Sequence, residues 1–136
     1  MRLFNRLKYK LIYSTDSLKA RCQRFKRGYS YGDIWDMFDW FIRTVKPMLI
    51  HLRDHGSGFP IEFENDPNQW YHVLTEMVNC LDMMEEDNVY EHLGFGGRDG
   101  YKRMTSEDYK NVYETMEANK NRFFELFSKY FYNLWD

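Results

Sequence analysis

The sequence predicts an all-α protein, a helical bundle of three long helices plus a basic N-terminal helix. Two observations carry that prediction. Apolar residues recur at alternating three- and four-residue spacings through three long stretches, which puts them on one face of a helix. Each stretch opens on a capping signature, and the first two close on glycine-rich segments. Period-two alternation, the mark of a strand, is confined to a short run at 59–63.

The first long helix follows Ser30, with Asp33 three residues on, a Ser-x-x-Asp variant of the capping box. Ile34, Phe38, Phe41, Val45, Met48 and Leu52 make its apolar stripe, widened by Trp35, Ile42 and Leu49. Pro47 lies inside it, removes one backbone hydrogen bond and crowds the carbonyl of Arg43, so a kink or break is expected there. His55-Gly56-Ser57-Gly58 is its stop signal.

The second helix starts at Asp66-Pro67-Asn68-Gln69, with Asp66 as N-cap and Pro67 in the first helical position. Trp70, Leu74, Met77, Leu81 and Met84 form its buried row, and it is expected to reach His92 before the glycines of 94–100 end it. The third begins after Thr105-Ser106-Glu107-Asp108 and presents Tyr109, Tyr113, Met116, Phe123, Phe127, Tyr130 and Leu134, interrupted by Lys120. It is expected to run almost to Trp135.

The N-terminal segment is also helix-compatible. Phe4, Leu7 and Leu11 form one apolar row, and Leu18, Cys22 and Phe25 another. Ser14-Thr15-Asp16 between them suits either the start of a new helix or a mild dent in a single one. One domain is expected over 1–136, with a basic helical segment at 1–29 and a helical core at 30–136. Aromatic residues at 19% fill such a core quickly.

Several classes are set aside by composition. No apolar run approaches the roughly 20 residues that span a bilayer. Arg6, Lys8 and Lys10 interrupt the N-terminus where a secretory signal needs an apolar stretch, so a cytoplasmic protein is expected. Cys22 and Cys80 are expected to be buried free thiols rather than a disulfide, and the absence of C-x-x-C argues against a zinc ribbon. No cofactor is expected.

The formal charge of −2 conceals a division. Residues 1–30 carry nine Lys/Arg and one acid, Asp16, and the remaining residues carry 10 basic and 20 acidic side chains. A distribution of this kind speaks to partners more than to fold. The basic set is Arg6, Lys8, Lys10, Arg21, Arg24, Lys26 and Arg27. It suits nucleic-acid phosphate, with Tyr9, Tyr13, Phe25 and Tyr29 placed to stack on bases. It equally suits an anionic membrane surface. The simplest reading pairs it with the acidic helices of its own chain or of a second copy. The acidic set is Asp36 and Asp39 on the first long helix and Glu85, Glu86, Asp87 and Glu91 on the second, a surface for a basic partner.

Two further constellations bear on chemistry. His51, Asp54 and His55 gather at one helix end, and His72 and Glu76 stand one turn apart on the next helix. Imidazoles and carboxylates at such spacings share a face, as metal sites in bundles require, so His51, His55, His72 and Glu76 form the candidate metal set of a small enzyme. Histidine near a helix C-terminus also complements the macrodipole, and that structural role is the simpler one. The loop 94–100 has the glycines of a phosphate cradle but neither the Gly-Lys-Ser/Thr ending nor a preceding strand, so it reads as a connector in which Phe95 and Arg98 offer contacts. No nucleophile–base arrangement is suggested by spacing, and the protein is expected not to be an enzyme.

One stretch carries a resemblance. Arg27-Gly28-Tyr29-Ser30, then Asp33 and Trp35, an apolar helix containing Pro47, a loop ending at Pro60, and Trp70 with Leu74 and Met77 resemble a family of small uncharacterised proteins encoded by phages and prophages. The resemblance covers a little under half the chain. It implies a small phage accessory protein, located in the infected host cell, that binds and blocks a host component such as a defence system. The expected partner is a host protein met by the acidic helix faces. The alternatives are nucleic-acid binding through the basic segment and metal-dependent catalysis at the His/Glu set.

Overall fold

In the computed structural model, which describes residues 18–97 and 99–135, the chain is an all-α helical bundle. Its α-helices are α1 (Leu18–Arg27), α2 (Tyr31–Trp35), α3 (Met37–His55), α4 (Asn68–Asp82), α5 (Glu86–His92) and α6 (Ser106–Lys129). Short 3-10 turns occupy Ile61–Phe63, Gly100–Arg103 and Phe131–Asn133, and no strand occurs among the described residues. The run at 59–63 thus ends in a 3-10 turn. The chain divides into two compact units, Met1–Thr44 and Val45–Asp136, with the boundary inside α3.

In the first unit, Ser30 and Asp33 are both buried and form the capping box that the sequence indicates. The long helix expected to follow is broken at Asp36, whose backbone leaves the helical region (φ −133°, ψ 66°). Asp36 Oδ1 accepts from the Asp39 N–H at 3.1 Å, so the side chain that ends α2 also caps α3. α3 then runs from Met37 to His55 with Pro47 inside it, so of the kink or break expected there, no break occurs. Gly28 closes α1 with φ of 80°, a conformation costly for a side chain bearing Cβ.

Burial in this unit departs from the sequence stripe. Ile42 is buried, but Ile34, Trp35, Met37 and Phe38 are exposed. On α1 the row Leu18, Cys22 and Phe25 faces outward, with Phe25 93% exposed, and Ala20 is the buried residue. Cys22 is therefore an exposed free thiol, against expectation, whereas Cys80 is a buried one whose pKa burial raises.

The second unit is built on α4. Trp70, Leu74, Met77, Leu81 and Met84, the row expected from spacing, are all buried, with Val78 and Cys80 beside them. α4 packs along α6 and α5 packs on α6. The helix expected to reach His92 stops at Asp82 and restarts at Glu86. Asn88 Nδ2 donates to the Asp82 carbonyl at 3.0 Å, which satisfies one of the orphaned acceptors at that end. Asp66 acts as a cap, accepting from the Asn68 N–H at 3.2 Å, although the helix itself begins at Asn68.

Thr105 and Asp108 form the second capping box at the start of α6. Its buried face is Val112, Phe123 and Leu126, continued by Tyr130, so Tyr109 and Tyr113 point to solvent rather than inward. The helix ends at Lys129, short of the expected Trp135. At this end Phe63, Trp70 and Tyr130 cluster, with ring centroids 5.2 to 6.2 Å apart. Tyr130 donates to Glu62 Oε1 at 2.6 Å. Lys46 pairs with Asp82, and Arg122 grips Glu76 through Nε and Nη2 at 2.6 and 3.2 Å, tying α6 to α4.

Candidate functional site

The segment around the helix break is the most unusual surface of the first unit. Residues 31–42 hold Ile34, Trp35, Met37, Phe38, Trp40, Phe41 and Ile42, which cover more than half of a helix circumference and leave only the side of Asp36 and Asp39 polar, a band wider than one packing partner covers. The chain resolves this by breaking at Asp36. Ile42 goes inside, and Ile34, Trp35, Met37 and Phe38 remain 51%, 77%, 63% and 48% exposed. Beside this knuckle, Tyr29, Ile34, Met37 and Trp40 line a recess of about 330 Å³ over Asp33. Trp40 Nε1 donates to the Gly28 carbonyl at 3.3 Å, fixing one wall.

The floor of that recess is rigid. Asp33 accepts from Arg24 Nε at 2.9 Å and Nη2 at 2.5 Å, from the Ser30 N–H at 2.7 Å and from the Ser30 hydroxyl at 2.9 Å. Arg43 Nη2 stands 3.6 Å away. The Arg24 guanidinium, with the Ser30 donors assisting, holds the Asp33 carboxyl well below the usual carboxylate range despite its burial.

The basic set is partly committed by this arrangement. Arg24 is bound to Asp33, and Arg27 lies over the rings of Tyr29 and Tyr31 at 4.8 and 4.3 Å. Arg21 and Lys26 are exposed. Arg6, Lys8 and Lys10 lie outside the described residues, as do Tyr9, Tyr13 and the apolar row Phe4, Leu7 and Leu11.

The acidic set is distributed over both units. Asp36 caps α3, and Asp39 accepts from Arg43 Nε at 2.6 Å. In the second unit Glu85 lies 4.0 Å from Lys46, and Glu86 accepts from the Tyr90 hydroxyl, which raises the Tyr90 pKa to about 12. Asp87 and Glu91 stand one turn apart on α5, exposed, lining a recess of about 480 Å³ with Tyr90, Phe95, Gly96 and Gly97. Phe95 is half-buried, its N–H bonded to the Tyr90 carbonyl at 2.7 Å, and Arg98 lies outside the described residues.

No protein-family model matches the chain, and no curated protein or solved structure is significantly similar to it.

The metal set does not assemble. His51 and His55 stack at 4.6 Å between centroids, and Glu76 is held by Arg122. Among the described residues no three His, Cys, Asp or Glu side chains gather as metal ligands. The spacing that put these groups on helix faces was correct, but His51 and His55 sit on α3 and His72 on α4 without converging. No described helix is long and apolar enough to cross a membrane. Of the stripe expected to be buried on the first long helix, Ile34, Trp35, Phe38 and Met48 are exposed, and Met37, which the stripe did not include, is exposed beside them. The signal was present in the width of the apolar band over 34–42, more than half of the helix circumference, an excess that one stripe cannot hide.

Proposed function

We propose that the protein is a non-enzymatic, phage-type accessory protein that acts by binding a host protein, inhibiting or sequestering it. One observation carries this reading. Four large apolar side chains stand exposed within five consecutive positions, around a helix break, beside a recess with a rigid floor. Runs of exposed apolar residues are disfavoured on a soluble surface unless something covers them. Trp and Met anchors beside a preformed recess are the composition of an interface hot spot.

Asp36 and Asp39 lie within this segment, the first capping α3 and the second paired with Arg43, and in the other unit Asp87 and Glu91 are exposed acids that form no ion pair among the described residues. Both favour a partner whose surface is basic, such as one that otherwise binds nucleic acid. The partner therefore presents an apolar pocket to residues 34–38 and carries Lys or Arg on its surface. A host defence component of that chemistry fits the resemblance to phage proteins.

The test is affinity capture from host extract with wild type, Trp35→Ser/Phe38→Ser and Asp87→Lys/Glu91→Lys. The proposal expects a discrete protein captured by wild type and lost from the first variant, with the second weakened. Capture that is identical for wild type and the Trp35/Phe38 variant sinks the reading.

A further inference from the structure

We propose that the outward face of α1 is a peripheral docking surface for anionic phospholipid. The helix Leu18–Arg27 carries Lys19, Arg21, Arg24, Lys26 and Arg27 and no acid. At 100° per residue, its ten positions separate into two functional sides. The inward side carries buried Ala20 among polar side chains. Gln23 Oε1 accepts from the Tyr31 N–H at 2.9 Å, Arg24 pairs with Asp33, and Arg27 lies on Tyr29 and Tyr31. α1 is therefore anchored by hydrogen bonds and ion pairs, and its apolar row is left on the other side.

That row is Leu18, Cys22 and Phe25, which fall within about 60° of one another around the axis. Leu18 is 78% and Phe25 93% exposed. Arg21 borders the row on one flank, and Lys19 and Lys26 border it on the other. All six side chains are exposed, and Lys19, Arg21 and Lys26 form no ion pair among the described residues.

This order decides the occupant. Leu18 and Cys22 offer a nucleic acid neither a phosphate donor nor a ring to stack on, so Phe25 alone of the central row would serve one. Here the centre is apolar and the cations lie on both flanks. That is the arrangement of an interfacial helix, in which the apolar row enters the headgroup–acyl boundary and long basic side chains reach up to the phosphates. Charge complementarity selects anionic lipid, since a neutral surface gives the unopposed cations nothing to meet. The surface is peripheral, because no described helix is suited to crossing the bilayer.

The test uses the full chain in a vesicle co-sedimentation assay. The vesicles are phosphatidylcholine alone or mixed with phosphatidylglycerol, and a labelled DNA duplex and an RNA strand are measured at the same ionic strength. Wild type is expected to bind the anionic vesicles, to ignore the neutral ones and to weaken as salt rises. Phe25→Ser is expected to weaken vesicle binding by about tenfold or more. The triple variant Lys19→Gln/Arg21→Gln/Lys26→Gln is expected to weaken it by about a hundredfold, roughly fivefold per charge. All the substituted side chains are exposed, and circular dichroism of each variant is expected to match wild type. Failure of wild type to sediment, equal binding to neutral vesicles, or variants that bind like wild type would each overturn the proposal. So would tighter binding to either nucleic acid than to the anionic vesicles.

Discussion

Replacing Asp33 removes the feature that anchors α1 to α2. The carboxylate is 3% exposed as a residue and accepts four hydrogen bonds, two from Arg24 and two from Ser30. Asp33→Ala abolishes the capping-box acceptor for Ser30, a loss of about 1 kcal/mol. It also leaves Arg24 without its main partner. Breaking a fully buried pair costs about 3–5 kcal/mol, but the Arg24 side chain is 26% exposed, so about 2 kcal/mol is the reasonable share. The sum is about 3 kcal/mol, equivalent to about a hundredfold loss of protection. Arg24→Met keeps the cap and removes only the pair, about 2 kcal/mol, so its effect is about thirtyfold. The assay is amide hydrogen exchange by mass spectrometry over 18–36. The folded pKa of Asp33 is depressed, so its contribution is complete above the unfolded carboxylate value near 4 and is lost as pH falls toward the folded one. If both variants exchange within about twofold of wild type, the pair does not hold α1 and the reasoning is refuted.

Other consequences follow from the second unit. Phe123 is fully buried in the core, so Phe123→Ala is expected to lower stability by about 3–5 kcal/mol in urea unfolding. A Cβ on Gly100 would lie 1.5 Å from the Phe95 carbonyl oxygen, a backbone atom that no side-chain rotation can clear. Gly100→Ala is therefore expected to remodel the loop 94–100, seen as altered exchange there while α4 stays protected. The Tyr90 hydroxyl is held protonated by Glu86, so the contribution of that bond is present below the ordinary tyrosine value near 10 and disappears as pH rises through about 12. Glu86→Gln is expected to lower the Tyr90 pKa, read by NMR titration of labelled tyrosine.

The legible parts of the fold are those where one physical signal acts alone. The α4 row was readable because Trp70, Leu74, Met77 and Leu81 keep the 4-3-4 spacing while Tyr71, His72, Thr75 and Asn79 mark the opposite side, with Val78 and Cys80 widening the buried band. Both capping boxes were readable because Ser30 with Asp33, and Thr105 with Asp108, satisfy each other locally. The break at Asp36 was harder to see, since Asp33, Asp36 and Asp39 recur at the same spacing and any of them is a competent cap. The side chain of Asp36 bonds the Asp39 N–H, whereas Pro47 sits within a helix long enough to absorb one missing bond. The restart at Glu86 carried no glycine or proline to announce it. Along α6 the rows Tyr109–Tyr113 and Val112 compete, and tyrosine, with a hydroxyl that favours water, yields the inside to valine. The candidate interface was misassigned for a related reason. Ile34, Trp35, Met37 and Phe38 have the composition of core residues, and composition alone does not reveal that a helix break leaves them outside.

The central claim, that the chain acts by binding a host protein through residues 34–38, is tested most directly by site-specific photo-crosslinking in host cells. A photo-activatable residue is placed at Trp35 and, as a control, at exposed Lys110 on α6. The account predicts one discrete crosslinked host protein at position 35, absent at position 110 and lost when Phe38→Ser is added. No discrete product at position 35, or the same products at both positions, would contradict it.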